Sequence, residues 1–136
     1  MKATRITAAA LAAMLLSACG GESSQQMQYI KTSVAYDTIS DMYQNPDNYL
    51  GGLYHIVGKL YPSTDDDGEK FYSVYVTNGN GSEGIGIELD RTSFEGIEDY
   101  ELITVEGTLD KAKGKHDGNT IEYLILRCTS VEKRQS

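Results

Sequence analysis

Apolar and polar positions alternate through most of the chain beyond residue 50. Residues 53–61, 70–77, 84–89, 101–109 and 120–130 are rich in Val, Ile, Tyr and Thr, and each run is bounded by turn formers. Such side chains fit a pleated, half-buried surface, so the pattern predicts five strands. The separators contain Asp67-Gly68, Asn78-Gly79 and Asp117-Gly118. These pairs supply the positive φ angles of tight hairpins, and consecutive strands are expected to be antiparallel neighbours. Ahead of them, Val34, Ile39 and Met42 recur at near-helical intervals with Tyr36 and Tyr43 before Asn45-Pro46. Proline disfavours helical geometry in the residue before it, so one short amphipathic helix over residues 33–44 is predicted.

Two of the strands share a local pattern. Ile56-Val57-Gly58-Lys59-Leu60 and Val105-Glu106-Gly107-Thr108-Leu109 both place a glycine two residues after a β-branched residue and two before a leucine. A glycine inside a strand marks a bulge, a sharp bend or a close backbone approach, as closure of a small barrel demands. With Asn45-Pro46-Asp47-Asn48-Tyr49-Leu50-Gly51-Gly52 running into Tyr54-His55-Ile56-Val57-Gly58-Lys59-Leu60, and with Ile103 to Leu109 behind, the chain resembles small secreted or lipid-anchored bacterial proteins with an OB-fold. The resemblance covers about residues 33–132. It implies an all-β domain, a five-stranded OB-like partly open barrel with a short N-terminal helix. Many OB-folds carry a helix between the third and fourth strands, whereas residues 90–100 are few and interrupted by Gly96. The helix ahead of the first strand is the alternative cap.

OB-folds bind ligands across the second and third strands and the loops beside them. Alternation in residues 71–77 places Tyr72, Val74 and Val76 on one face and Phe71, Ser73, Tyr75 and Thr77 on the other. The uniformly apolar set is the expected core face. Phe71 and Tyr75 then stand outward as candidate ligand contacts, where flat rings stack on sugars or bases. Lys113 joins them from the basic stretch Lys111-Ala112-Lys113-Gly114-Lys115-His116, expected as a loop between the fourth and fifth strands. Cross-strand packing and a solubilising hairpin tip are the rival accounts of these residues.

The N-terminus changes the picture from fold to location. Lys2 and Arg5 precede an apolar run from Ile6 to Leu16 that ends in Leu16-Ser17-Ala18-Cys19. Basic, apolar and small residues in that order form an export signal, too short to span a bilayer. The tetrapeptide resembles the lipobox of bacterial lipoproteins, which implies a signal peptide over residues 1–18 and an acylated (palmitate-type) Cys19. The implied mature chain has 118 residues, with a Gly, Ser, Gln and Glu linker over residues 19–29 and one OB-like domain over residues 30–136. It keeps ten basic and twenty acidic side chains, a formal charge of −10. Such a surface weighs against nucleic-acid partners and against electrostatic binding to anionic headgroups, leaving the lipid on Cys19 as the membrane contact.

Little points to catalysis, and no enzyme, cofactor or metal is expected. Asp65, Asp66 and Asp67 are consecutive, unlike the alternating ligands of an EF-hand loop, and read as a solvated turn. His55 and His116 lack the company of further ligands that zinc requires. Cys128 in an apolar run reads as a small buried residue, with no second thiol once Cys19 carries lipid. The expected function is therefore a membrane-tethered extracytoplasmic binding or accessory module of the bacterial cell envelope. A structural lipoprotein that docks on an envelope protein complex, with no small ligand, is the alternative.

Overall fold

The computed structural model describes residues 26–116 and 118–134. The elements in order are β1 (Met27–Tyr29), α1 (Ala35–Gln44), β2 (Leu53–Thr64), β3 (Lys70–Thr77), β4 (Gly84–Leu89), β5 (Leu102–His116) and β6 (Asn119–Lys133), with short 3-10 turns at Thr32–Val34 and Pro46–Asn48. β2 pairs antiparallel with β5 through its first half, from Leu53↔Thr108 to Lys59↔Leu102, and with β3 through its second, from Lys59↔Tyr75 to Thr64↔Lys70. β3–β4 and β5–β6 are antiparallel, and β4 meets β6 in parallel at Glu88↔Ile125 and Leu89↔Leu126. Numbering only β2 to β6, the neighbours run 1-2-3-5-4 and return to 1. This is the OB-fold barrel, all-β as expected.

One strand serving two neighbours must bend, and the chain supplies glycine where it does. Gly58 directly precedes Lys59, the residue at which β2 passes from β5 to β3. A Cβ there would lie 2.6 Å from the Tyr75 carbonyl oxygen. Gly107 sits at a β-bulge in β5, where a Cβ would lie 2.6 Å from the Arg127 carbonyl oxygen. Both glycines of the shared pattern thus mark close backbone approach.

The inward faces of the five strands supply Ile56, Leu60, Val74, Ile87, Ile103, Val105, Leu109 and Leu126, all fully buried. α1 adds Ile39 and Met42, also fully buried, and packs on β3 and β4. It ends where proline dictates, with the Asn45 N–H donating to the Asp41 carbonyl at 2.7 Å. The Asp41 carboxylate accepts hydrogen bonds from the Asn45 amide at 2.7 Å and from the Tyr49 hydroxyl, tying the helix to the turn that enters β2. The Tyr43 hydroxyl donates to the Gly86 carbonyl at 2.6 Å, so α1 also covers part of the β4 edge. Residues 90–101 form no helix. The core position filled by α1 explains how the barrel does without one there.

Two regions differ from expectation. β5 and β6 run through residues 113–116 and 119, where Lys and Gly content suggested a loop. The ladder extends to His116↔Asn119, and Gly118 takes a φ of +79° ahead of β6. β1 forms within polar sequence because the first half of β2 has an edge not used by β3, where Met27 to Tyr29 pair in parallel with Leu53 to His55. Tyr29 then packs on His55, with ring centroids 4.5 Å apart. The expected signal peptide and Cys19 lie outside the described residues.

Candidate functional site

The seam between β4 and β6 is short. Beyond Glu88↔Ile125 the two strands separate, and residues 84–87 do not pair with residues 121–124. A groove of about 700 Å³ opens there, bordered by the β2–β3 loop on one side and the β5–β6 hairpin on the other. Phe71, Ile121 and Tyr123 form its apolar floor, while Asp65, Asp67, Glu69 and Glu88 with Lys70 and Lys115 supply its charges. Alternation explains the floor: Tyr72 and Val74 are buried in the core, so Phe71 faces outward.

The β2–β3 loop is built by Asp65. Its Oδ1 accepts from the N–H of Asp67 and of Glu69, both at 2.9 Å, and Gly68 takes the positive φ that completes the turn. One oxygen of the acidic triplet is thereby engaged by backbone. Among the described residues no three His, Cys, Asp or Glu side chains converge as metal ligands would. Glu88 is half-buried in the groove. Desolvation, and then the charge of Asp65, hold its carboxyl above the ordinary glutamate value. Tyr123 is raised in turn, by burial first and by Glu88 second. Lys70 stands with Nζ 5.3 Å over the Tyr72 ring and 3.9 Å from Asp99. The groove thus pairs a flat aromatic floor with carboxylate acceptors and two cationic donors.

The candidate residues separate in space. Phe71 lines the groove, but Tyr75 does not; its ring stacks on Tyr61 at 4.4 Å between centroids, with Tyr100 edge-on to Tyr61 at 5.5 Å. Lys113 is exposed on β5 opposite Glu122, one pair before Gly114↔Ile121, which does line the groove. Tyr123 and Glu88 were missed. Alternation in residues 84–89 sets Glu88 opposite Ile85, Ile87 and Leu89, whereas both faces of residues 121–126 are largely apolar and leave Tyr123 without a local signal. His55 lies in the barrel wall with Nδ1 2.8 Å from Glu106 Oε2. Cys128 is half-buried, and desolvation pushes its thiol up to about 11, which makes it a poor nucleophile.

No family model and no curated protein matches the chain. Among solved structures, the mitochondrial single-stranded DNA-binding protein Rim1 of S. cerevisiae is similar at 18% identity and a TM-score of 0.38, over 61% of this chain and 94% of that one. So distant a likeness adds nothing to the strand order already described. The exclusion of nucleic-acid partners drawn from net charge does not stand; the similar chain is itself a single-stranded DNA-binding protein. Net charge sums the whole surface, whereas a ligand meets a local set of groups, and here Lys59, Arg134, Lys70 and Lys115 line hollows on the barrel. The architecture itself is settled by the strands: a five-stranded OB-fold barrel with its helix ahead of the first barrel strand.

Proposed function

We propose that this protein is a non-enzymatic binding module of the bacterial cell envelope, held at a membrane by lipid on Cys19. Its ligand occupies the groove between the β2–β3 loop and the β5–β6 hairpin. The observation that carries the reading is the coincidence of that open seam with an outward aromatic floor, Phe71 and Tyr123, in a wall that is otherwise closed by pairing. Rings stack on such a floor, each contributing about 1–3 kcal/mol in the case of nucleobases. Asp67, Glu69 and Glu88 accept hydrogen bonds from hydroxyl or amino groups, and Lys70 and Lys115 donate them. A ligand of linked ring units with hydroxyl or amino donors fits this chemistry.

Titration of the full-length chain with oligosaccharides, single-stranded oligonucleotides and Ca²⁺, followed by amide resonances, tests the groove. The expected shifts fall at Phe71, Lys115 and Tyr123, and Phe71→Ala or Tyr123→Ala weakens binding about tenfold. Silence across the panel, or equal binding by both variants, sinks the reading. Cys19→Ala tests the tether: the variant is expected to leave the membrane fraction, and identical retention of both forms rejects lipidation.

A further inference from the structure

Four residues along β3 from Phe71, the outer wall of the barrel carries a second hollow of about 320 Å³. Val57, Val76 and Leu102 with Tyr75 make its apolar wall, and Thr32 and Thr77 bring hydroxyls. Its charged lining is Lys59 and Arg134 alone, in a chain of net charge −8. Lys70, Arg127 and Lys133 each sit within ion-pair range of a carboxylate. Among the described residues, Lys59 and Arg134 have no such partner.

The fold brings these two cations to one place. Lys59 is paired on both sides, with Tyr75 on β3 and with Leu102 on β5. The Arg134 N–H donates to the Leu102 carbonyl at 2.9 Å, which holds the end of β6 against the same residue. Leu102 is 37% exposed, an apolar side chain left open between two cations. Guanidinium and ammonium groups with nearby hydroxyls offer several charged and neutral donors to one tetrahedral oxyanion, and the guanidinium fork suits phosphate in particular. An apolar surface beside them favours a ligand that carries more than a bare ion.

We propose that this hollow is an anion site for a small phosphate ester with an apolar body, its phosphate between Lys59 and Arg134 and its body against Leu102, Val57 and Val76. It is separate from the Phe71 groove and shares no lining residue with it.

The test uses the full-length chain in phosphatidylcholine nanodiscs, titrated with hexyl phosphate, dibutanoyl phosphatidylglycerol and uridine monophosphate and read by amide resonances. At least one ester is expected to saturate, with shifts at Gly58, Thr77 and Leu102. The tightest of the three tells a lipid headgroup from a nucleotide. Binding should weaken at least about tenfold in the Lys59→Gln/Arg134→Gln variant and fall with added salt. The charge-keeping Lys59→Arg/Arg134→Lys variant, which still presents one guanidinium and one ammonium, should bind more tightly than the Gln variant, which separates loss of charge from loss of fold. Phe71→Ala should bind these esters unchanged, so failure of the groove reading leaves this result standing. Absence of saturable shifts with every ester, shifts confined to Phe71 and Tyr123, or unchanged affinity in the Gln variant overturns the proposal.

Discussion

Replacing Gly58 with alanine asks whether the bend in β2 depends on close backbone approach. The added Cβ would lie 2.6 Å from the Tyr75 carbonyl oxygen, 3.0 Å from Val74 Cγ2 and 3.1 Å from Val76 Cγ1. Non-bonded carbon contacts are comfortable at about 3.5–4.0 Å, so the deficit at the oxygen approaches an ångström. The valine methyls can turn, but the carbonyl belongs to the strand that pairs with β2 at Lys59↔Tyr75. Backbone must therefore move, and overpacking of this kind costs about 1–3 kcal/mol. For a domain of this size that lowers the melting temperature by about 5–20 °C. Gly79→Ala is the control: no atom lies within 4 Å of its Cβ position and its φ is not positive. It should be neutral or gain about 0.4–1 kcal/mol through the unfolded state. Urea midpoints and melting by circular dichroism measure all three proteins. If Gly58→Ala and Gly79→Ala unfold together, the close-approach account of the bend is wrong. Gly107→Ala extends the comparison, because its Cβ would meet the Arg127 carbonyl oxygen at the same 2.6 Å.

The folded state holds the Glu88 proton more tightly than the unfolded chain does, because burial and Asp65 disfavour the charge. Its ionisation therefore removes stability as pH rises through the folded value. Glu88→Gln is expected to melt higher than wild type at pH 7, with the difference closing near about pH 3, where both states are protonated; a constant difference across that range counts against it. Cys128, pushed up to about 11 chiefly by burial, should react with iodoacetamide at pH 8 about a hundredfold more slowly than the same thiol in urea. Labelling at the unfolded rate would show that the thiol is not shielded. Met42→Ala should cost about 2–5 kcal/mol in urea unfolding, since the side chain is fully buried between helix and barrel; a loss below about 1 kcal/mol would mean that α1 does not close the core.

The strands were legible because side chains in a barrel wall alternate between core and solvent, and that period survives any choice of neighbours. Tyr72 and Val74 entered the core as their pattern required, and Ile39 and Met42 did so from the helix. Length was less legible. Lys113-Gly114-Lys115-His116 reads as loop by composition, yet pairing propagates through it to His116↔Asn119, because a two-strand ladder continues until the chain reverses. β1 had no pattern to find. Three residues become a strand there because β2 leaves an edge beside them, a fact that belongs to the β2 pairing and not to Met27, Gln28 or Tyr29.

The candidate site was legible to the extent that it depends on one strand. Phe71 was found because facing outward from β3 follows from its own neighbours. Tyr75 faces the same way, but its ring is taken up by Tyr61, a strand away, and only register brings those two together. The same limit is sharper for charge. A chain of net charge −8 gives no hint that the charged lining of one hollow on its surface is cationic. Lys59 and Arg134 come from the first and last barrel strands and their ends, and no local pattern joins them. Leu102 does, because it pairs with Lys59 across β2 and β5 and accepts the Arg134 N–H. Barrel closure, which the two glycines make possible, is therefore also what creates a local charge opposite in sign to the whole.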